Sequence, residues 1–344
     1  MALTISTQRP GIYTDYQVSG VLSSNRTSIK TVAVAAKAAK GVTGEPQTVT
    51  SYAHALELFG ESSITGLIKT LMQNGAVNIV AVGLSSGVPD YSAAFDVLAK
   101  MPNVRVMVCD STEGAVLAAL KNAIELRDGN SGCKIAVAEA EGTTAQAIAL
   151  ANSINSERVM LTVHTPQTPA GQTAAAIAGA VAAQSDPALP LNAARLIGVE
   201  GDAGIYSDAE VTSLILGGVT PVETVGGITS VVRGVSTRTM TDTQQDATWR
   251  EINTVLIADD VMLSVYEAVK SLFYRAKNNA QTRGAIRTQV VVELERKVSR
   301  QIIDSYQNVS VTVNADDPTV CDVYFEFAVT HGLNRINLSA FITV

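Results

Sequence analysis

Cys109 and His164 are the first residues to test for chemistry, because a thiol beside an imidazole can act as a nucleophile with its base. Both follow apolar runs that read as parallel strands. Asp110, Glu113, Glu139 and Glu141 follow such runs too, and Ser85, Ser86 and Gly87 end another. Ligands of parallel α/β sheets bind beyond those carboxyl ends. The spacing nevertheless selects no pair. Cys109 ends a strand that has to be buried, and Glu113 and Glu141 stand where acids favour helix N-termini. No GxxxxGK[ST] phosphate loop occurs, and no GxGxxG follows a strand. His54, His164 and His331 are far apart and form no HExxH arrangement. Asp259-Asp260, in helical sequence, and Asp316-Asp317, before Pro318, read as solvated caps and not as an acid–base dyad. The expectation is a chain without cofactor or metal. An enzyme with a site at Cys109, Asp110 and His164 is the alternative.

The elements that would hold these residues are legible as short apolar runs. They occupy 31–35, 77–82, 104–108, 134–138, 159–163 and 195–199. Helical patterns lie between or beside them at 52–59, 64–73, 91–100, 113–127 and 144–154, with a further apolar helix at 173–184. Val and Ile runs separated by helix-length segments predict βαβ units and a mostly parallel sheet covered on both faces. After about residue 201 the character changes. A helix over 207–216 opens with Ser207 and Glu210 at capping-box spacing and stops at Gly217-Gly218. A hairpin is expected around Gly226-Gly227, and 242–248 is polar, like a boundary. Two long amphipathic helices follow. Val261, Val265, Val269, Leu272 and Ala276 form the stripe of one, and Ile286, Val290, Leu294, Val298 and Ile302 that of the other.

Composition limits the partners. The 344 residues suggest two domains, and 47% hydrophobic with 17% charged residues describes a globular chain. With aromatics at 5%, small aliphatic residues must fill the core. A net charge of −7 offers nucleic acid no general attraction. Three scattered cysteines read as buried thiols in a reducing compartment. No signal pattern opens the chain, and 173–184 is far shorter than the ~20 residues that cross a bilayer, so cytoplasmic synthesis without membrane insertion is expected. One local feature departs from this acidic average. Lys270, Arg275, Lys277, Arg283, Arg287, Arg296, Lys297 and Arg300 make a basic island against Glu293 and Glu295, as either a solvated face or a dock for an acidic protein.

Both ends of the chain alternate like strands. Ile336, Leu338, Ala340, Ile342 and Val344 share one side of the last segment. Ile12, Thr14, Tyr16 and Val18 alternate with Tyr13, Asp15 and Gln17 near the start. Between them, Val323, Phe325, Phe327 and Val329 alternate in a further strand that can offer a sheet edge. The connection 331–334 is short enough for a hairpin within the subunit, which is the alternative to pairing with another chain.

The C-terminal third resembles the tail sheath family of contractile phages and R-type bacteriocins. The similar stretches are GVTPVETVGGITSVVRGVSTRT (218–239), WREINTVLIADDV (249–261), NNAQTRGAIRTQVVVELE (278–295) and VTVNADDPTVCDVYFEFAVTHGLNRINLSAFITV (311–344), with RPGIYTDYQV (9–18) near the start. The resemblance implies a structural subunit that stacks as helical rings of identical copies around a tail tube protein. Baseplate and tail terminator proteins would be further partners. Contraction would drive the tube through a cell envelope. The implied organisation is an N-terminal arm (1–24), an α/β outer domain (25–240), an α+β inner domain (241–330) and a C-terminal arm (331–344). The arms would donate strands containing Ile12, Tyr13, Thr14, Tyr16 and Val18, and Ile336, Leu338, Ala340 and Ile342, to neighbours. The strand of Val323, Phe325, Phe327 and Val329 would accept one and augment the inner-domain sheet. Lys277, Arg283 and Arg287 would face the tube, and hinges would fall near 19–25 and 331–334. A tube or baseplate component with the same arm exchange is a third reading.

Overall fold

The computed structural model describes residues 30–42, 44–125, 133–164, 168–199, 206–273 and 275–340, without the side chains of 271–273. The chain begins with β1 (Thr31–Lys37), β2 (Gln47–Val49), α1 (Tyr52–Phe59), α2 (Ser63–Gln73), β3 (Asn78–Leu84), α3 (Tyr91–Ala99) and β4 (Val104–Cys109). It continues through α4 (Gly114–Glu125), β5 (Ile135–Ala140), α5 (Thr144–Ile154), β6 (Val159–Val163), α6 (Gln172–Ala183) and α7 (Asp208–Leu216). The strand order β2-β3-β1-β4-β5-β6 is parallel except for β2. Central β1 shows why its sequence is continuously apolar: Val32, Ala33, Val34, Ala35 and Ala36 are all fully buried, with α2 and α6 packed on one face and α3 on the other. At the β6 edge, Thr220 N–H donates to the Leu161 carbonyl at 2.7 Å and Thr237 N–H to that of Val159 at 2.8 Å.

Helix α6 is buried along most of its length. Residues Thr173, Ala174, Ala175, Ala176, Ile177, Ala178, Gly179 and Val181 are buried, so small side chains surround it on every side. A Cβ on Gly179 would lie 2.7 Å from that of Asn74, which sets how closely α6 approaches the end of α2. A buried helix still has unpaired N–H and C=O groups at its ends. Here Glu139 accepts from Gly171 N–H and Ala174 N–H, both at 2.9 Å, and Lys30 donates to the Val181 and Gln184 carbonyls at 2.9 and 2.8 Å. An acid at the N-terminus and a cation at the C-terminus also oppose the helix dipole.

The later part comprises hairpin β7 (Val222–Val225) and β8 (Ile228–Val231), turning at Gly226-Gly227, and the small pair β9 (Met240–Thr241) and β10 (Gln244–Gln245). Then come α8 (Ile252–Phe273), α9 (Ala280–Ser299), β11 (Ile303–Val313) and β12 (Cys321–Val329). One apolar cluster runs from Val34 and Ile177 through Ile252, Val255 and Val261 of α8 and Val290 and Leu294 of α9 to Phe327 and Val329. At this junction Arg158, 1% exposed, holds Asp259 of α8, 7% exposed, by two bonds of 2.8 and 2.9 Å, and donates to the Lys134 carbonyl at 3.0 Å.

The parallel α/β reading, the Ser207–Glu210 capping box and the Gly226-Gly227 hairpin match the structure. Three expectations are corrected. Among the described residues the run 195–199 forms an Arg195–Ser230 bridge and no strand, because the Asn74 side chain satisfies both backbone groups of Ile197, at 2.7 and 2.9 Å. Asp259 is a buried ion-pair partner and not a solvated cap. Ala276 lies beyond the end of α8 and is exposed, whereas the helix extends upstream to Ile252.

Removing one partner of a buried ion pair strands a charge and costs about 3–5 kcal/mol, while replacing both with apolar groups is often neutral. Arg158→Met and Asp259→Leu should each destabilise by that amount in equilibrium denaturation, and the double variant by clearly less than their sum. Single changes below about 1 kcal/mol would remove the pair from its structural role.

Candidate assembly interface

The residues suspected of chemistry are occupied with structure. The Cys109 thiol is fully buried and directed at the Ser111 carbonyl, 3.7 Å away, and burial pushes its pKa up to about 12, the reverse of an activated nucleophile. His164 Nδ1 meets Glu139, not Cys109, at 2.9 Å, and the hydrogen bond to that carboxylate raises the imidazole's pKa. Asp110 accepts from the Tyr91 hydroxyl at 2.6 Å and from Lys37 N–H at 3.0 Å, tying α3 to β1. Burial and this carboxylate both raise the Tyr91 pKa. Among the described residues, no group of three or more His, Cys, Asp or Glu side chains converges as metal ligands would.

The incomplete part of the molecule is at the other end. β11 and β12 form an antiparallel sheet of two strands, and no third strand pairs with either among the described residues. α9 packs against β11. Phe327 and Val329 are buried, Phe325 is half-buried with its ring 6.0 Å from that of Phe327, and Val323 is 37% exposed. Apolar cover thus runs out toward the turn. Register shifts interrupt the ladder between Ile303 and Ser305 and between Gln307 and Ser310. In the second, Asn308 takes a left-handed backbone (φ 55°) while its amide donates to Glu326 at 2.8 Å.

Beyond β12 the chain crosses the loop 184–192. Gly332 passes so close to Pro190 that a Cβ would lie 2.8 Å from Pro190 Cγ, and Asn192 donates to the Asn334 side chain at 2.7 Å. From there to Ala340 the backbone pairs with no strand among the described residues, and Ile336 and Leu338 are 69% and 92% exposed. The expected strand over 336–344 is therefore not formed within the described part of this subunit. Ile342, with 341–344, and Ile12, Tyr13, Thr14, Tyr16 and Val18 lie outside the described residues.

The basic island is smaller than its sequence suggests. Lys297 is buried, donates to the Ser264 hydroxyl at 3.1 Å, and has its pKa pulled down to about 8 by burial. Arg296 is bound to Glu293 at 2.5 Å. Lys277 and Arg287 are exposed and Arg283 is half-exposed; Arg283 donates to the Asn278 side chain at 2.9 Å and Arg287 to the Val309 carbonyl at 3.0 Å. Sequence reasoning missed Pro190 and Asn192, whose positions beside the departing tail leave no periodic signal.

Known proteins share both the sequence and this architecture. Residues 85–237 match the phage tail sheath protein central domain, and residues 244–343 the phage tail sheath C-terminal domain. The tail sheath protein of Bacillus phage SP01 is 27% identical over 317 residues, covering 86% of this chain, which spans about half (54%) of that relative's length. The helical sheath of the anti-feeding prophage in its contracted state superposes with a TM-score of 0.71 at 14% identity, over 97% of this chain and 99% of that one. The sheath tail protein of Desulfitobacterium hafniense does so with a TM-score of 0.68 at 12% identity, over 93% and 100%. With two adjoining sheath domains matched across well over half of its residues, and the sheath fold across nearly all of them, the chain belongs to the phage tail sheath family.

Proposed function

We propose that this chain is the subunit of a contractile sheath, a structural protein without catalytic role. Copies polymerise into helical rings around a tail tube and contract to drive the tube through a cell envelope. The observation that carries the reading is the apolar tail leaving its own subunit beside an open two-stranded sheet. The segment 336–344 has nine residues, as many as β12, so it can cover one whole edge of a neighbour's hairpin. Such augmentation gains a row of main-chain hydrogen bonds, each worth ~0.5–1.5 kcal/mol net, and pockets for alternate side chains. Val323, Phe325, Phe327 and Val329 belong to the accepting strand, and the N-terminal segment with Ile12, Thr14, Tyr16 and Val18 donates likewise.

In this reading 25–240 forms the outer domain, 241–330 the inner domain, and 1–24 and 331–344 the arms. Baseplate and terminator proteins bound the two ends of the sheath, which is assembled in the bacterial cytoplasm and becomes part of a virion or a released particle. No helix among the described residues is long and apolar enough to cross a membrane, which fits force delivered by a tube. Contraction then moves subunits as rigid bodies, with 331–334 as one hinge.

Deleting 337–344 should leave a soluble, folded subunit that forms no striated cylinders in negative-stain images. Full-length cylinders from the truncated chain would end the strand-donation reading. A second variant addresses the tube: Arg283→Glu with Arg287→Glu should keep the subunit's melting temperature yet abolish assembly on the tube. Assembly of the wild-type subunit should weaken as salt screens the exposed charges over ~8–10 Å. Tube decoration by the charge-reversed subunit at wild-type level would remove Lys277, Arg283 and Arg287 from the tube face.

A further inference from the structure

Two adjacent asparagines at the start of α9 have different tasks. The Asn279 side chain caps the helix by accepting from Thr282 N–H at 2.9 Å. Asn278 serves the hairpin instead: its amide nitrogen donates to the Pro318 and Val320 carbonyls, at 2.8 and 3.1 Å, in the turn between β11 and β12. Its amide oxygen accepts from Arg283, the fourth residue of the helix, at 2.9 Å. That orientation is forced, because a guanidinium only donates and a carbonyl only accepts, so an amide flipped end for end would satisfy neither side. Within the turn, Asn314 accepts from Asp316 and Asp317 N–H, at 3.0 and 3.2 Å, and its own N–H meets the Val320 carbonyl at 3.1 Å. Apolar packing adds little there. Val313 and Val320 are 39% and 40% exposed, whereas the buried Ile303 and Val329 pair at the opposite end of the hairpin.

We propose that Asn278 and Arg283 are positioning residues for the hairpin: Arg283 orients the amide, and the amide fixes the turn 314–320 against the start of α9, so that the outer half of β12 is set before a neighbour's strand arrives. Only the arrival of that strand rests on the sheath reading; the tie itself stands within one subunit. A strand that pairs with an edge already in place forgoes the entropy of ordering it, which is how preorganisation strengthens binding. Arg287 repeats the device one helical turn on, with its Nε–H on the Val309 carbonyl at 3.0 Å, inside the second register shift. Arg283 thereby has a task within its own subunit in addition to the tube contact proposed for it.

Hydrogen–deuterium exchange on the unassembled full chain, with thermal melts alongside, tests the tie. Asn278→Ala and Arg283→Ala should each speed amide exchange across 313–322 by about tenfold, the loss expected for two net hydrogen bonds, with the melting temperature unchanged. The double variant should add little, about twofold at most, because one residue acts through the other. Asn278→Asp keeps a partner for Arg283 but has no N–H for the carbonyls, and should behave like Asn278→Ala. Lys277→Ala removes a neighbouring charge and should leave exchange as it is. Asn278→Ala alters no charge, so the several-fold rise it should cause in the critical concentration for cylinders is separable from loss of a tube contact. Wild-type exchange in Asn278→Ala or Asn278→Asp overturns the tie, as does equal acceleration by Lys277→Ala. Effects of the two alanine variants that multiply overturn the route through Asn278. Faster exchange with wild-type polymerisation overturns the setting of β12 for a partner strand. Wild-type chain that forms no cylinders at all would instead overturn the sheath reading itself, with the exchange result unaffected.

Discussion

Charges withdrawn from water must find each other, and Arg158 and Asp259 do so with two parallel hydrogen bonds across 101 residues of sequence. The continuity of the core depends on that meeting. The arginine stands immediately before β6, and the carboxylate sits in the first, almost wholly buried, half of α8. Neither charge is tolerable alone in that place, so the sheet and the late helices are stable chiefly in one mutual arrangement. Such rigidity suits the mechanical work proposed for the subunit. In that proposal, force entering at the hairpin would reach the sheet through packed side chains and a bidentate ion pair.

The same contrast separates the two ends of the molecule. Around α6 both backbone ends are answered: Glu139 serves one terminus and Lys30 the other, and the side chains between are small and mostly buried. Around β11 and β12 the ladder stops after two strands, and apolar residues continue beyond the cover of α9. The contrast is between capped helix ends in the interior and a sheet edge that no strand covers among the described residues.

Much of this was legible in the sequence where burial is two-sided or periodic. The runs at β1, β4, β5 and β6 are mostly apolar and rich in Val and Ala because helices cover both faces, and α9 displays its stripe because only one side is buried. The tail showed its period of two right up to the end. What remained hidden depends on distant partners. The first half of α8 is buried on all sides and so carries no stripe, and Asp259 inside it looked like any helical surface acid. Lys297 looked like part of a basic face because local charge density says nothing of which side a residue takes. The run at 195–199 has strand-like composition, but a side chain from α2's end, Asn74, meets its hydrogen-bonding needs. Pro190 and Asn192 matter only because the chain returns to them some 140 residues later.

The irregular ladder of β11 and β12 has a consequence for fidelity. A long flat edge with unpaired amides templates any extended peptide, and repeated identical pairing of that kind ends in fibres. The left-handed Asn308 and the two register shifts bend and twist this hairpin, and a twisted edge accepts a strand only in a register that follows its curvature. A second hairpin laid edge to edge would have to share that curvature along its whole length, whereas a separate, unstructured segment conforms as it docks. Under the proposed strand donation, the irregular ladder would screen incoming chains by flexibility before side chains are compared, and would keep crowded subunits from sticking hairpin to hairpin.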